Sequence, residues 1–253
     1  MIKVILSGCN GKMGRNVTAR IAQTDGIEIV AGVDTYTETA NDYPIFKAFS
    51  LVKDIEADVV IDFSNADALS PILTYCLAEK AALVACTTGY SAQQINELKS
   101  ASEKIPVFFS ANMSLGVNLI VELSKTAAKV LGNDFDIEIV EAHHNQKLDA
   151  PSGTALMLAN AINAELDSKY DYEYNRHEKR EKRPKNEIGI HSVRGGTIVG
   201  EHEVIFAGDD EIIKISHSAR SKALFATGAV NAAIFVCGRK PGLYAMADML
   251  SQQ

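Results

Sequence analysis

The first half of the chain alternates short, nearly continuous apolar runs with stretches of helical periodicity. Apolar runs of this length are typical of strands buried on both faces of a parallel sheet. They predict strands at residues 3–8, 27–34, 58–64, 82–87 and 106–111. The intervening periodicity predicts helices at residues 12–23, 66–79 and 91–103, with Asn65 and Ser91 as N-caps. This alternation indicates a doubly wound α/β domain.

The pattern changes after about residue 112. It predicts, in order, a helix at 116–131, a strand at 135–142, a polar segment at 143–150 and a helix at 152–166. Residues 168–187 are charged and poor in apolar side chains, so the basic run at 176–185 is interpreted as a solvated loop. Further strands are predicted at 188–193, 198–206 and 211–216. Short glycine-bearing connections favour an antiparallel arrangement of these strands.

A closing helix is predicted at residues 222–236, and it is apolar on all sides. Such a helix must be buried, so we expect it to pack back onto the first domain and make that domain discontinuous. The predicted fold is α/β: a Rossmann-like doubly wound parallel sheet plus a smaller α+β domain with a mixed sheet. The predicted domains are 1–113, completed by 221–253, and 114–220.

Composition narrows the classes of function. The chain has 253 residues, 47% of them hydrophobic, which suffices for a well-buried core. Its formal net charge of -7 argues against a general nucleic-acid binder, because phosphate binding relies on a basic face. We therefore expect a small-molecule ligand.

The cysteines and the apolar stretches bear on the compartment. Cys9, Cys76, Cys86 and Cys237 lie far apart, which disfavours both a zinc knuckle and a disulfide framework. No apolar stretch is long enough for a membrane span, and the early first strand leaves no room for a signal peptide. We expect a cytoplasmic protein with reduced thiols.

A glycine-rich loop follows the first strand and opens a helix. Backbone N–H groups and the positive end of the helix dipole could hold a pyrophosphate there. The spacing is GxxGxxG, with Asn10 in the place of the middle glycine of GxGxxG, and a purely local turn is the alternative. The candidate cofactor-binding residues of this loop are Gly8, Cys9, Asn10, Gly11, Lys12, Met13 and Gly14.

Asp34 ends the second strand, about 20 residues beyond the loop, where a carboxylate binds the adenosine ribose of a dinucleotide. Thr35 and Tyr36 follow it, so no cation adjoins Asp34 in the sequence to meet a 2′-phosphate. This favours NADH over NADPH. Lys12 is the only candidate cation for NADPH, with a solvent-facing role as its alternative.

Two further turns follow the strands at 82–87 and 106–111. The carboxyl ends of parallel strands line the ligand crevice, so these turns are expected to face the nicotinamide half of the cofactor. Local turn chemistry is the alternative explanation for them. The residues concerned are Thr87, Thr88, Gly89, Ala111, Asn112 and Met113.

The polar segment before the helix at 152–166 contains several side chains that could transfer a proton or bind an anion. His143 or His144 can carry a proton near neutral pH, and Lys147 adds a positive charge. Ser152 can cap the helix, and Gly153 and Thr154 would then expose amides at its positive end. Together these residues predict a carboxylate-binding pocket with an acid beside it.

Other interpretations of this segment stay open. Ser152 could be only a helix cap, and adjacent histidines on a strand point to opposite sides, so at most one is expected to be the acid. A metal site built on Glu141, His143 and His144 would lack further ligands at recognisable spacing, and no metal is predicted. The isolated His191, His202 and His217 are interpreted as satisfied surface or core residues.

At this point the chain resembles the 4-hydroxy-tetrahydrodipicolinate reductase family, also called dihydrodipicolinate reductase. The resemblance rests on HHxxKxDxPSGTA at residues 143–155, preceded by Glu141, and it covers nearly the whole chain. The supporting motifs are GxxGxMG at 8–14, TTG at 87–89, SANMSLGVN at 110–118 and RGGTIVGEH at 194–202.

The resemblance implies a tetrameric NAD(P)H-dependent reductase of the lysine and diaminopimelate pathway, with residues 114–220 binding substrate and forming the oligomer. Hydride passes from the nicotinamide to a cyclic unsaturated dicarboxylate. By motif, His143 would donate the proton, Lys147 would be a second catalytic cation, and His144, Gly153 and Thr154 would bind a substrate carboxylate.

The resemblance also adds Cys86 and Ser110 to the cofactor-binding candidates. Cys86 stands where the family usually has glycine, and Thr35 stands where dual-cofactor members often carry arginine. Two alternatives remain: another two-domain dehydrogenase of aspartate-derived metabolites, and a non-enzymatic nucleotide sensor. Neither alternative needs the two histidines and the lysine beside an anion-binding helix start.

Overall fold

The computed structural model describes residues 1–38 and 41–251. The chain forms two compact units, Met1–Leu115 with Lys222–Gln253, and Gly116–Ser221. The first unit opens with the predicted alternation of strands and helices. Its elements are β1 (Ile2–Ser7), α1 (Lys12–Ile21), β2 (Ile27–Val33), β3 (Ile45–Phe46), β4 (Val59–Asp62), α2 (Leu69–Glu79), β5 (Ala82–Ala85), α3 (Ala92–Ser102) and β6 (Pro106–Phe109).

The second unit consists of two long helices and a five-stranded sheet. Its elements are α4 (Leu115–Leu131), β7 (Asp136–His143), α5 (Gly153–Glu165), β8 (Asp171–Glu173), β9 (Glu187–Arg194), β10 (Gly200–Ala207) and β11 (Ile212–Ala219). The chain then returns to the first unit. The returning elements are α6 (Ala223–Val236), β12 (Gly242–Tyr244) and α7 (Met246–Leu250).

The sheet of the first unit has seven parallel strands in the order β12-β6-β5-β4-β1-β2-β3. The middle strands β1, β4 and β5 are almost wholly buried, because a separate apolar core covers each face of the sheet. The order reverses between β1 and β4, which is where doubly wound sheets bind their ligands. The predicted doubly wound fold is confirmed, and the short strand β3 is an element that the sequence pattern missed.

Helix α6 packs against β5 and α1, as its apolar surface predicted. Its residue Gly228 lies directly over Met113, and a Cβ at Gly228 would come within 1.6 Å of the Met113 carbonyl oxygen. Only glycine permits this approach. The turn at Met113 is thereby held against the core of the first unit.

One predicted strand pairing is wrong. Strands β9 and β10 are joined by a short glycine-bearing connection but do not pair, because β7 lies between them in the order β11-β10-β7-β9-β8. Strand β9 runs parallel to β7, which is possible because the chain between them contains the crossover helix α5. Strands β10 and β11 are antiparallel, as predicted.

The interpretation of residues 176–185 as a solvated loop is also wrong in part. The Arg183 guanidinium is only 15% exposed, and it donates to Glu138 Oε1 and Asp136 Oδ1, each at 2.9 Å. Arg176 contacts the buried Glu187. Two arginines of this basic run therefore neutralise carboxylates at one end of the sheet.

Of the helices within the described residues, none combines the length and the hydrophobicity that crossing a membrane requires.

Candidate active site

The glycine-rich loop is built for a close backbone approach. Gly8 has φ +75°, and a Cβ there would lie 2.6 Å from the Phe63 carbonyl oxygen. A Cβ at Gly14 would lie 2.2 Å from the Gly8 carbonyl oxygen. Larger residues at either position would displace the loop from the start of α1, where Gly11 is the N-cap. The loop thus places helix N–H groups at the carboxyl end of β1, an arrangement that suits a pyrophosphate.

Asp34 faces this loop. Its carboxylate accepts the Asn10 N–H at 3.0 Å through one oxygen and the Tyr36 N–H at 3.1 Å through the other. Gly8, Gly11 and Asp34 all line a pocket of about 350 Å³ within the first unit. A pocket of this kind could hold the adenosine half of a dinucleotide, since Asp34 offers a carboxylate that ribose hydroxyls could donate to.

The sequence offered Lys12 as the only candidate cation for a 2′-phosphate, and the structure adds a second candidate, Lys47. Lys47 lines the same pocket as Asp34 and Thr35. It follows β3, whose last residue, Phe46, pairs with Val33 and accepts the Asp34 N–H at 3.0 Å. Lys47 is therefore the strand-to-strand neighbour of Asp34. The sequence did not indicate that Lys47 and Asp34 are neighbours, because β3 is only two residues long.

The turn after β5 is organised by a residue that the sequence analysis missed, Asp62. Its fully buried carboxylate accepts from Thr87 Oγ1 at 2.7 Å and from the Tyr90 hydroxyl at 3.1 Å. The Thr87 hydroxyl is thus engaged with Asp62, whereas Thr88 is exposed. Cys86 is buried, and burial raises the pKa of its thiol. An aspartate ending an apolar strand was the available signal for Asp62.

The turn after β6 forms local hydrogen bonds. Ser110 Oγ donates to the Asn112 carbonyl at 2.8 Å, and Asn112 Oδ1 accepts the Ser114 N–H at 2.9 Å. Met113 is buried beneath α6, and Ala111 is exposed. Of these cofactor-binding candidates, Ala111 is the one that solvent reaches most freely.

In the second unit the predicted polar segment surrounds a buried carboxylate. Glu141 is 0% exposed, and its Oε2 lies 2.6 Å from His143 Nδ1. Arg194 donates to both carboxylate oxygens, at 2.8 and 2.7 Å, and the Ser152 N–H donates at 3.1 Å. Burial alone would raise the pKa of Glu141, but hydrogen bonds from Arg194, His143, Ser192 and Ser152 lower it to about 2. Glu141 is therefore ionised at neutral pH.

His143 lies at the end of β7 with its ring edge against His202, the centroids 5.2 Å apart. A Cβ at Gly200 would come within 3.1 Å of His143 Nε2, so the absence of a side chain at 200 leaves room beside that nitrogen. Burial, together with the His143 charge, lowers the pKa of His202 to about 4. His202 is therefore uncharged at neutral pH.

The interpretation of His202 as a satisfied core residue holds for only one of its two ring nitrogens. Its Nε2 lies 3.0 Å from Ser152 Oγ, but its buried Nδ1 has no hydrogen-bond partner among the described residues. Ser152 is itself buried and caps α5 by accepting the Ala155 N–H at 3.2 Å. The Ser152 hydroxyl is thus occupied by the cap and by His202, which favours the structural alternative for this residue.

The remaining predicted residues lie on the accessible side of the segment. Lys147 pairs with Asp149 at 2.8 Å, and this contact lowers the pKa of Asp149. His144 is partly buried, and Gly153 and Thr154 are the first residues of α5. Arg194 holds this turn by donating to the Asp149 carbonyl at 2.6 Å.

Arg194 and His202 are functional candidates that the sequence analysis did not assign. Both belong to the RGGTIVGEH motif, which was the available signal. Within the described part of the chain, no group of three or more His, Cys, Asp or Glu residues could hold a metal ion.

Comparisons with known proteins cover both units. The model of the N-terminal domain of dihydrodipicolinate reductase matches residues 2–113, and that of its C-terminal domain matches residues 116–250. A 4-hydroxy-tetrahydrodipicolinate reductase from Caldanaerobacter subterraneus subsp. tengcongensis is 53% identical over 252 residues, covering 100% of this chain and 99% of its own. One from Clostridium tetani is 49% identical over 251 residues, covering 99% and 98%.

Among solved structures, the chain is similar to a dipicolinate-bound dihydrodipicolinate reductase from Paenisporosarcina sp. TG-14. The TM-score is 0.83 at 25% identity, and the match covers 97% of each chain. The likeness therefore extends over both compact units.

Proposed function

Since the chain belongs to the dihydrodipicolinate reductase family, we propose that His143 is the proton donor of its reaction. As a member of that family, the chain is an oxidoreductase that catalyses the NAD(P)H-dependent reduction of 4-hydroxy-tetrahydrodipicolinate in lysine and diaminopimelate biosynthesis. Its residues are assigned roles in this reaction from the contacts that they make.

The observation that carries the proposal is the hydrogen-bonded series Arg194–Glu141–His143. The Glu141 carboxylate accepts from His143 Nδ1 at 2.6 Å, which fixes the orientation of the ring. The ring's other nitrogen, Nε2, adjoins the space that Gly200 leaves open. A bound nicotinamide cofactor supplies a hydride to one carbon of the substrate. The neighbouring carbon then gains negative charge, and His143 Nε2 is the group that would protonate it.

Anion binding is assigned to the start of α5 and the turn before it. Lys147 would meet a substrate carboxylate as a cation, exchanging its contact with Asp149 for one with the substrate. The N–H groups of Gly153 and Thr154 would bind the same carboxylate at the positive end of α5, with His144 as a further contact. The dipicolinate bound to the solved relative is a dicarboxylate, which supports this assignment.

Cofactor binding is assigned to the first unit. The loop from Gly8 to Gly14 would hold the pyrophosphate, and Asp34 would accept from the ribose hydroxyls. We propose that NADH is favoured and NADPH is also used, because a 2′-phosphate would meet Asp34 as a like charge. The other proposed cofactor contacts are Cys86, Thr87, Thr88, Ser110, Ala111, Asn112 and Met113.

We also propose a cytoplasmic homotetramer. All four cysteines are free thiols, which suits a reducing compartment. The sheet of the second unit leaves apolar side chains incompletely buried on the face away from its core, among them Val140, Val193 and Ile205. Such a face suits association with other copies of the chain. Sedimentation at a mass of four chains would support the tetramer, and sedimentation as a monomer would contradict it.

The test of the proton donor follows NADH oxidation with substrate made in situ from pyruvate and aspartate semialdehyde. His143→Gln should lower kcat by about 100-fold and leave NADH affinity unchanged, since a general acid contributes that factor. His191→Gln is the matched control, because His191 also pairs with a glutamate of β7, Glu138, at 2.8 Å. Unchanged turnover in His143→Gln would remove His143 from the mechanism.

The same assay separates the alternative functions. A dehydrogenase of another aspartate-derived metabolite would oxidise NADH with that metabolite and not with the condensation product. A nucleotide sensor would bind NADH without consuming it in either mixture.

A further inference from the structure

We propose that Lys47 is the residue that accommodates the 2′-phosphate of NADPH and so determines how strongly this chain discriminates between the two cofactors. The inference rests on the proposed function, because it assumes that the adenosine half of the cofactor occupies the pocket beside Asp34. It replaces Lys12, the cation that the sequence favoured, with one that the fold brings to the pocket.

Lys47 lies beside Asp34 because β2 and β3 are neighbouring strands. Val33 and Phe46 are partners in the parallel pair β2–β3, and the Asp34 N–H donates to the Phe46 carbonyl at 3.0 Å. Lys47 and Asp34 are the next residues on the two strands, so both leave the sheet at the same edge. Lys47, Thr35 and Asp34 accordingly line one pocket of about 350 Å³. A 2′-phosphate on a ribose bound at Asp34 would lie within reach of a lysine at this position.

Lys47 would supply the positive charge that a 2′-phosphate beside Asp34 needs. Asp34 alone would repel a 2′-phosphate, and Thr35 offers a hydroxyl without charge. The Lys47 side chain is exposed, and its ammonium group makes no hydrogen bond or ion pair within residues 1–38 and 41–251. It is therefore available to a ligand without first breaking a contact with those residues. Lys12, by comparison, is the first residue of α1 and is absent from the lining of this pocket.

The other residues that line the pocket suit the rest of an adenosine 2′-phosphate. Ser64 and Asn65 line the pocket with polar side chains, whereas Phe49 and Pro71 offer apolar surface for an adenine ring. Both carboxylate oxygens of Asp34 already accept backbone N–H groups, which keeps Asp34 in place beside the ribose. The pocket therefore combines an apolar surface for the adenine, a carboxylate that can accept from the ribose and a cation that can meet the phosphate. These are the three features that an adenosine 2′-phosphate requires.

The test measures binding of adenosine fragments by calorimetry, without turnover. Wild type, Lys47→Ala, Lys47→Arg and Lys12→Ala are titrated with adenosine 2′,5′-bisphosphate and with 5′-AMP at fixed ionic strength. Lys53→Ala is the matched control, because Lys53 is an exposed lysine of the same segment that does not line the pocket. Lys47→Ala should weaken the bisphosphate by about tenfold, the loss expected for one charge-assisted contact, and should change 5′-AMP by less than about twofold. Lys47→Arg should retain the wild-type ratio.

The ratio of kcat/KM for NADH to that for NADPH should rise in Lys47→Ala by the same factor. The salt dependence of bisphosphate binding should flatten in that variant, because one charge pair is lost. An undiminished bisphosphate affinity in Lys47→Ala, or a larger loss in Lys12→Ala, would overturn the role of Lys47 while leaving the pocket intact. If 5′-AMP and the bisphosphate both fail to bind wild type, the proposed cofactor site itself is wrong, and the inference falls with it.

Discussion

Replacing Arg194 with methionine should destabilise the second unit, and most strongly at neutral pH. The Arg194 side chain is 20% exposed, and its guanidinium donates to both oxygens of the fully buried Glu141 carboxylate. Removing it leaves a buried charge whose main partner is gone, a change that costs about 3–5 kcal/mol. The turn carrying Lys147 should also loosen, because Arg194 donates to the Asp149 carbonyl.

The size of the destabilisation should depend on pH, because it depends on the ionisation of Glu141. In the wild type, the pKa of Glu141 is lowered from 4.5 to about 2. Its contribution to the free energy of unfolding is therefore complete above pH 4.5 and is lost as the pH falls towards 2. In Arg194→Met, the guanidinium no longer offsets burial, so the pKa of Glu141 should rise from its lowered value. The destabilisation should then be largest at neutral pH and above, and it should shrink as the pH falls and the carboxylate takes up a proton.

Urea denaturation followed by circular dichroism measures this, at one protein concentration because association also contributes to stability. The double variant Glu141→Gln/Arg194→Met is the control, since it removes the buried charge together with its partner. Its loss of stability should vary little over the same pH range. If Arg194→Met stays within about 0.5 kcal/mol of wild type throughout, or follows the pH profile of the double variant, then Arg194 does not hold Glu141 ionised.

Three further outcomes are expected. Lys147→Ala should raise the substrate KM and the inhibition constant of dipicolinate by about tenfold, and it should also lower kcat. Lys169→Ala, which removes an exposed lysine paired with Asp167, is the control and should leave all three quantities unchanged. Asp34→Ser should reduce the preference for NADH over NADPH by about tenfold in kcat/KM at fixed ionic strength, and an unchanged preference would contradict the role of Asp34. His202→Gln should reduce the pH dependence of the free energy of unfolding. Because the pKa of His202 is lowered from 6.5 to about 4, its contribution to stability is complete above pH 6.5 and decreases as the pH falls to 4. Denaturation curves should therefore show a shallower decline in this variant over that interval.

Much of the fold could be predicted because the signals are local. Apolar runs with no alternation marked β1, β4 and β5, and the structure buries them on both faces. Ser91 was predicted to cap α3, and the structure confirms the cap with a reciprocal contact from Gln94. The turn at residues 8–14 was likewise predicted, because its glycines lie between a strand and a helix. Each of these signals depends on neighbours within a few residues.

Strand pairing was less accessible to the sequence. The short connection between β9 and β10 predicted a hairpin, but a short connection permits pairing and does not enforce it. β7 pairs with both strands instead, and its alternation buries Ile137, Ile139 and Glu141 on the face that packs against the helices. The register that covers this face with apolar partners decides the order of the sheet.

The sequence by itself determined the fold class, the glycine-rich loop before α1, the place of Asp34 at the end of β2 and the polar segment from His143 to Thr154, because each lies in one contiguous stretch with its own pattern. Only the tertiary structure decided that Arg194 meets Glu141 across 53 residues and that Lys47 stands beside Asp34. It also decided that His202 is held neutral against His143. The physical reason is that burial and the distances between charges set these interactions, and both depend on which strands become neighbours.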